Sequence, residues 1–145
     1  MTSVSLELRG SEQHWFDATD AKENVVALDA NESAQNTNLG ARPMQLLLMA
    51  LGGCSGVDIL SILKKQKQEV EKLVITIHGE RENTVPSPWK KVHVVFNFEG
   101  QLDDQKCLRA CSLSIEKYCS VAETLRLAGA SITWEVLVHQ NKVHP

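Results

Sequence analysis

The run Arg42-Pro43-Met44-Gln45-Leu46-Leu47-Leu48-Met49-Ala50-Leu51-Gly52-Gly53-Cys54-Ser55-Gly56-Val57-Asp58-Ile59-Leu60 decides how this chain folds. Pro43 suits a first helical turn, where its missing N–H costs nothing. The apolar pattern from there predicts one long helix over 42–68. Between Leu46 and Leu63 the pattern is apolar on almost every face, and a helix of that kind is buried on every face. Gly52, Gly53 and Gly56 each weaken it by about 1 kcal/mol relative to alanine. Such a cost is understandable where another backbone comes close. A chain of 145 residues has little material with which to surround this helix, so a homodimer with the helix at its centre is expected.

Upstream, Val4, Leu6 and Leu8 alternate with polar residues and predict a strand that Gly10-Ser11 ends. Short strands are expected over 15–18 and 25–29, and the polar stretch 31–40 reads as a loop. Downstream, alternation over 73–78 and 92–98 predicts a hairpin around Pro86 and Pro88. Asp103 is a plausible N-cap for a helix over 104–117. A second, shorter helix is expected over 120–127, with Ser120 and Glu123 at capping-box spacing and Gly129 closing it. A last strand is expected over 132–138. The order implies an α+β fold with helices segregated from antiparallel sheet, in one domain covering 1–145.

Bulk composition excludes some classes. The net charge is -3 with 23% charged residues, which argues against nucleic acid or an anionic membrane as partner. The uninterrupted apolar run falls short of the roughly 20 residues a spanning helix needs, and the N-terminal residues do not read as a secretory signal. A cytoplasmic protein is expected. In that compartment its four cysteines are buried small hydrophobes, a redox pair or metal ligands, and not a disulfide scaffold.

Cys107 and Cys111 stand at i and i+4 and read as core packing. His78 and His93 lie on paired strands, but no Cys-x-x-Cys or His-x-x-x-His spacing supports zinc, so neither a metal nor a cofactor is expected. His14 and His139 read as surface or strand residues. Gly52 to Gly56 lies inside an apolar helix, which does not suit a phosphate cradle. Taken by itself, Cys54 is either a small buried residue beside two glycines or a reactive thiol. Asp58 follows it at i+4, and a carboxylate there disfavours the thiolate. Cys119 precedes a helix start, where backbone amides favour a thiolate.

The run Gly40 to Cys54 resembles the central-helix motif of the OsmC/Ohr family (osmotically inducible protein C and organic hydroperoxide resistance protein). Glu116-Lys117-Tyr118-Cys119-Ser120-Val121 resembles its second cysteine motif. The resemblance implies an intertwined homodimer, with antiparallel sheets wrapped round a long central helix of each chain and active sites at the interface, and thiol-dependent reduction of organic hydroperoxides. Cys54 would then be the attacking thiol and Cys119 the resolving one, with a lipoylated protein or thioredoxin as dithiol reductant. Family members that reduce hydroperoxides carry a glutamate after the proline, where this chain has Met44. They also carry an arginine in the N-terminal strands, and this chain has none between Gly10 and Ala41. The chain is thus similar to the less-characterised branch that lacks the Arg–Glu pair. Arg42, or an arginine of a second copy, is left as the candidate activating cation. Met44 and Met49 are the candidate walls of an apolar substrate pocket, or else plain core. The alternative is a non-catalytic homodimer that binds an apolar small molecule or senses oxidants.

Overall fold

The computed structural model describes residues 1–9, 15–29 and 39–145. His14, the strand end at Gly10-Ser11 and most of the expected 31–40 loop lie outside the described residues. The chain forms two compact units, Met1–Leu47 and Leu48–Pro145.

The N-terminal unit is an antiparallel sheet of β1 (Val4–Leu8), β2 (Trp15–Asp20) and β3 (Val25–Asp29). The chain then returns beside β3, where Leu28 and Ala41 form a parallel bridge. Gly40 is required for that approach: a Cβ there would lie 2.5 Å from the carbonyl carbon and oxygen of Ala27.

Helix α1 (Pro43–Lys65) starts in this unit and supplies the first element of the other. In the C-terminal unit it is followed by β4 (Glu69–Arg81), β5 (Trp89–Gln101), α2 (Asp104–Leu113), a π-helical turn (Ser114–Tyr118), α3 (Ser120–Leu127), β6 (Ser131–Val138) and β7 (Asn141–Lys142). The α+β class expected from the sequence is what forms. Asp103 caps α2, accepting the Lys106 N–H at 3.0 Å. Gly129, at φ +100°, closes α3. Its N–H reaches Arg126 and that of Ala130 reaches Leu125, a complete Schellman motif.

The four-stranded sheet, ordered β4-β5-β6-β7, departs from the expectation of antiparallel pairing throughout. β4 and β5 form the expected antiparallel hairpin, but β5 and β6 run parallel. The segment from α2 to α3 is therefore a crossover connection, which parallel neighbours need. Val92, Val94, Phe96 and Phe98 line one face of β5, fully buried. They join Leu51, Ile59 and Leu63 of α1 with Cys107, Ala110, Cys111 and Ile115 in a single core cluster.

Helix α1 is 23 residues long with a mean hydropathy of 2.0 in its most apolar window. The helix as formed is thus long and apolar enough to cross a bilayer, contrary to the count of its uninterrupted apolar run. Its Leu51, Ser55, Ile59 and Leu63 face is nevertheless fully buried in the chain's own core. The burial on every face expected from the sequence is not met within the single chain, where 28% of that window is buried. Two of its three glycines serve this packing. A Cβ at Gly52 would lie 3.3 Å from Ile77 and one at Gly56 3.1 Å from Ile75. Within the single chain these close neighbours are side chains of β4. A Cβ at Gly53 would meet nothing within 4 Å.

Candidate functional site

The interior of α1 places Cys54 and Asp58 one turn apart on one side of the helix. The third member arrives from the crossover segment. The π turn closes through the Cys119 N–H, which donates to the Ser114 carbonyl at 2.8 Å. Turns of this kind insert one residue into an α-helical path and recur at functional sites. Here the same turn carries Ser114 at its start and Cys119 at its end. The sequence pattern predicts one uninterrupted α-helix over 104–117, and the π turn replaces its last part.

The ligating atoms of Cys54, Asp58 and Cys119 all lie within 4.8 Å of one another. Cys119 is buried, while Cys54 and Asp58 are half-buried. Ser114, fully buried, aims its hydroxyl at Asp58 Oδ2 at 3.1 Å and at the Ser55 carbonyl at 3.3 Å. A hydroxyl has one proton to give. The carboxylate is the nearer acceptor and charge-assisted bonds are the stronger, so Ser114 donates to Asp58. A groove of about 440 Å³, lined by Asp58, Ser61, Ile62, Lys65, Gln66 and Tyr118, reaches the Asp58 side of the cluster.

Cys119 itself caps α3, its sulfur accepting the Ala122 N–H at 3.4 Å. The sequence assigned that role to Ser120. Cys119 has extended backbone directly after the π turn, so α3 begins at Ser120 and the thiol takes the cap position. The expectation that helix amides leave Cys119 as a ready thiolate also fails. Burial pushes its thiol up to about 11; the Ala122 N–H pulls the other way, and the neighbouring Cys54 adds to the rise. Desolvation of the thiolate outweighs the backbone N–H groups of Ala122 and Val121 that favour it.

The remaining candidates are placed as follows. Arg42 sits at the head of α1, where its carbonyl accepts from Gln45 and Leu46. Arg42 and Met44 belong to the N-terminal unit, and Met49 to the C-terminal one. Met49 is 57% exposed, so within the single chain it is not plain core. Cys107 and Cys111 are fully buried, as their spacing predicts. Burial pushes Cys107 up to about 11, aided by Asp104 and Asp103, and raises Cys111 further still. His78 and His93 are register partners on β4 and β5. His93 is engaged with Thr133 at 2.7 Å and Glu135 at 3.5 Å. His139 is exposed in the turn between β6 and β7, with φ +49°, the surface position of the two expected for it.

Asp58 and Ser114 are the candidate site residues that the sequence pattern does not single out. The i, i+4 relation of Cys54 and Asp58 was legible and read only as an unfavourable charge. Nothing local marks Ser114.

Residues 35–135 match the family model described as OsmC-like protein. Protein YhfA of Escherichia coli K12 is 41% identical over 87 residues, 59% of this chain and 65% of that protein. The match thus spans slightly less than two thirds of the curated relative's length. A hypothetical protein from Aquifex aeolicus VF5 is 31% identical and superposes with a TM-score of 0.78, covering 95% of this chain and 97% of its own. The organic hydroperoxide resistance protein OhrB of Bacillus subtilis shares the fold, with a TM-score of 0.66 at 18% identity over 94% of this chain and 97% of its own. With a family model covering most of its length and a common fold end to end, this chain belongs to the OsmC-like protein family.

Proposed function

We propose that this protein is a cytoplasmic, homodimeric dithiol redox protein that reduces organic hydroperoxides slowly, with Cys54 attacking and Cys119 resolving. The observation that carries this reading is the convergence of the two sulfurs, from α1 and from the α3 cap, to within 4.8 Å.

The Cys54 thiolate attacks the terminal peroxide oxygen, the O–O bond breaks, and the departing alkoxide takes a proton to leave as the alcohol. Cys54 becomes a sulfenic acid. The Cys119 sulfur then attacks the Cys54 sulfur and water leaves, giving the disulfide. An external dithiol, a lipoylated protein or thioredoxin, accepts the oxidation and returns both thiols. Slow turnover follows from the site's charges. Asp58 stands beside the thiols, Met44 replaces the family's glutamate, and burial holds Cys119 protonated at neutral pH. Met44 and Met49 are the proposed apolar walls for the substrate's tail.

The homodimer is supported by the uncovered side of α1. Met49, Val57 and Leu60 are 57%, 68% and 45% exposed, and with Gly53 they fall at helical spacing on one stripe. An apolar stripe of this length left in water is unusual for a monomer.

The second reading is an oxidant sensor or small-molecule binder without turnover. It is favoured by the absence of the family's Arg–Glu pair. Hydroperoxide consumption, followed with a dithiol reductant in the wild-type and Cys54→Ser proteins, separates the two. Slow consumption abolished by Cys54→Ser supports the enzyme. Equal rates in both proteins transfer the assignment to the binder.

A further inference from the structure

We propose that Cys54, Asp58 and Cys119 form a three-ligand site for a thiophilic divalent cation of the zinc class, with its fourth coordination position open. The inference uses the same side chains as the redox reading but does not depend on it. A metal bound there would mask the thiols from peroxide.

The ligand set comes first. Two sulfurs and a carboxylate oxygen suit zinc, whereas magnesium and calcium take oxygen shells. Three protein ligands and one open position is the arrangement of exchangeable or catalytic zinc, not of closed structural sites. The spacing is close to what coordination needs. Zn–S bonds of about 2.3 Å place tetrahedral sulfurs roughly 3.7 Å apart. The three ligand atoms here lie within 4.8 Å of one another, so small side-chain rotations close the site.

The surroundings fit as well. Ser114 holds Asp58 through one carboxylate oxygen at 3.1 Å, the kind of outer contact that orients a ligating carboxylate. The Ala122 N–H points at the Cys119 sulfur at 3.4 Å and is suited to a metal-bound thiolate. Among the described residues, no lysine, arginine or histidine forms an ion pair with Asp58. Three acidic groups gathered without such a partner repel one another when ionised. Protons relieve that repulsion, and so does a divalent cation, which takes up both thiolates as two protons leave to solvent. The groove that includes Asp58 supplies an entry path.

Local spacing gave no hint of this site, because its third ligand comes from the far end of the π turn. The test uses the full-length chain, reduced, stripped with chelator and free of peroxide. Co(II) is titrated in while thiolate-to-cobalt charge transfer is recorded, followed by displacement with Zn(II). One equivalent per chain is expected, with tetrahedral cobalt absorption that zinc removes. Zinc should also protect both Cys54 and Cys119 from alkylation, read residue by residue by mass spectrometry. Asp58→Asn should weaken zinc by at least ~10-fold, and Ser114→Ala by ~10-fold, as outer-sphere losses do. The proposal is overturned by the absence of charge transfer, or by unchanged affinity in folded Asp58→Asn. It is equally overturned if the stoichiometry persists in a Cys54→Ser, Cys119→Ser double variant, which would locate the metal on surface histidines. Should Asp58→Asn fail to fold, the alkylation pattern of the wild-type protein decides. Hydroperoxide consumption in excess chelator reports on the redox reading separately.

Discussion

Oxidising Cys54 and Cys119 to a disulfide should stabilise the protein, and the size of the gain tests whether the two thiols are built to bridge. The bond would close a loop of about 66 residues, for which the chain-entropy relation gives roughly 4 kcal/mol. Costs in the folded state reduce that figure. The sulfurs, within 4.8 Å of each other, must close to about 2.05 Å. The Cys119 sulfur also gives up its contact with the Ala122 N–H, worth about 0.5–1.5 kcal/mol. A net gain of about 2–3 kcal/mol is expected. At a urea slope of roughly 1–3 kcal/mol per molar, this moves the unfolding midpoint upward by about 1–2 M. The assay compares reduced and mildly oxidised protein at one fixed concentration, since dimerisation would otherwise move the midpoint. Mass spectrometry must show the 54–119 bond, with Cys107 and Cys111 still free. An oxidised protein with this bond that unfolds at lower urea would show that bridging conflicts with native packing, and the resolving role would fall. Sulfonic acid on Cys54 beside a free Cys119 would refute it more directly.

Organic hydroperoxide turnover should be at least ~100-fold slower than in a relative with the complete Arg–Glu pair, because removing one donor to a developing oxyanion costs about 3 kcal/mol. Equal steady-state rates would show that another cation, Arg42 or one from a second copy, takes over. Gly53→Leu should leave the single chain folded, since a Cβ there meets nothing within 4 Å, yet weaken self-association by overpacking the uncovered stripe. Sedimentation of the wild type as a folded monomer at micromolar concentration would remove the dimer altogether. Alkaline pH should destabilise the protein through Cys107, whose folded-state value is raised from 9.0 to about 11. A raised value favours the folded state fully below pH 9, and that contribution is lost as pH rises through about 11. Cys107→Ala should therefore flatten the decline in urea stability across that window.

Helix α1, the strand alternation, the Asp103 cap and the Gly129 stop were legible because each is written within a few neighbouring residues. Direction of pairing is not written that way. Ile132 to Val138 alternates equally well for either sense, and only the length of the crossover before it makes a parallel neighbour possible. The site follows the same division. Cys54 and Asp58 are one helical turn apart, so their half of the site can be read from the sequence by counting. The half that holds Ser114 and Cys119 depends on one residue inserted into the helical path. Each residue of an α-helix turns the chain by about 100°. The π turn therefore rotates everything after Ser114 by about that much relative to an uninterrupted helix. Without it, the Cys119 N–H would not close on the Ser114 carbonyl, and the chain would reach the cap of α3 one residue sooner, with Tyr118 in the place of Cys119. The same insertion that hides the site from sequence patterns is what brings the second sulfur to the first.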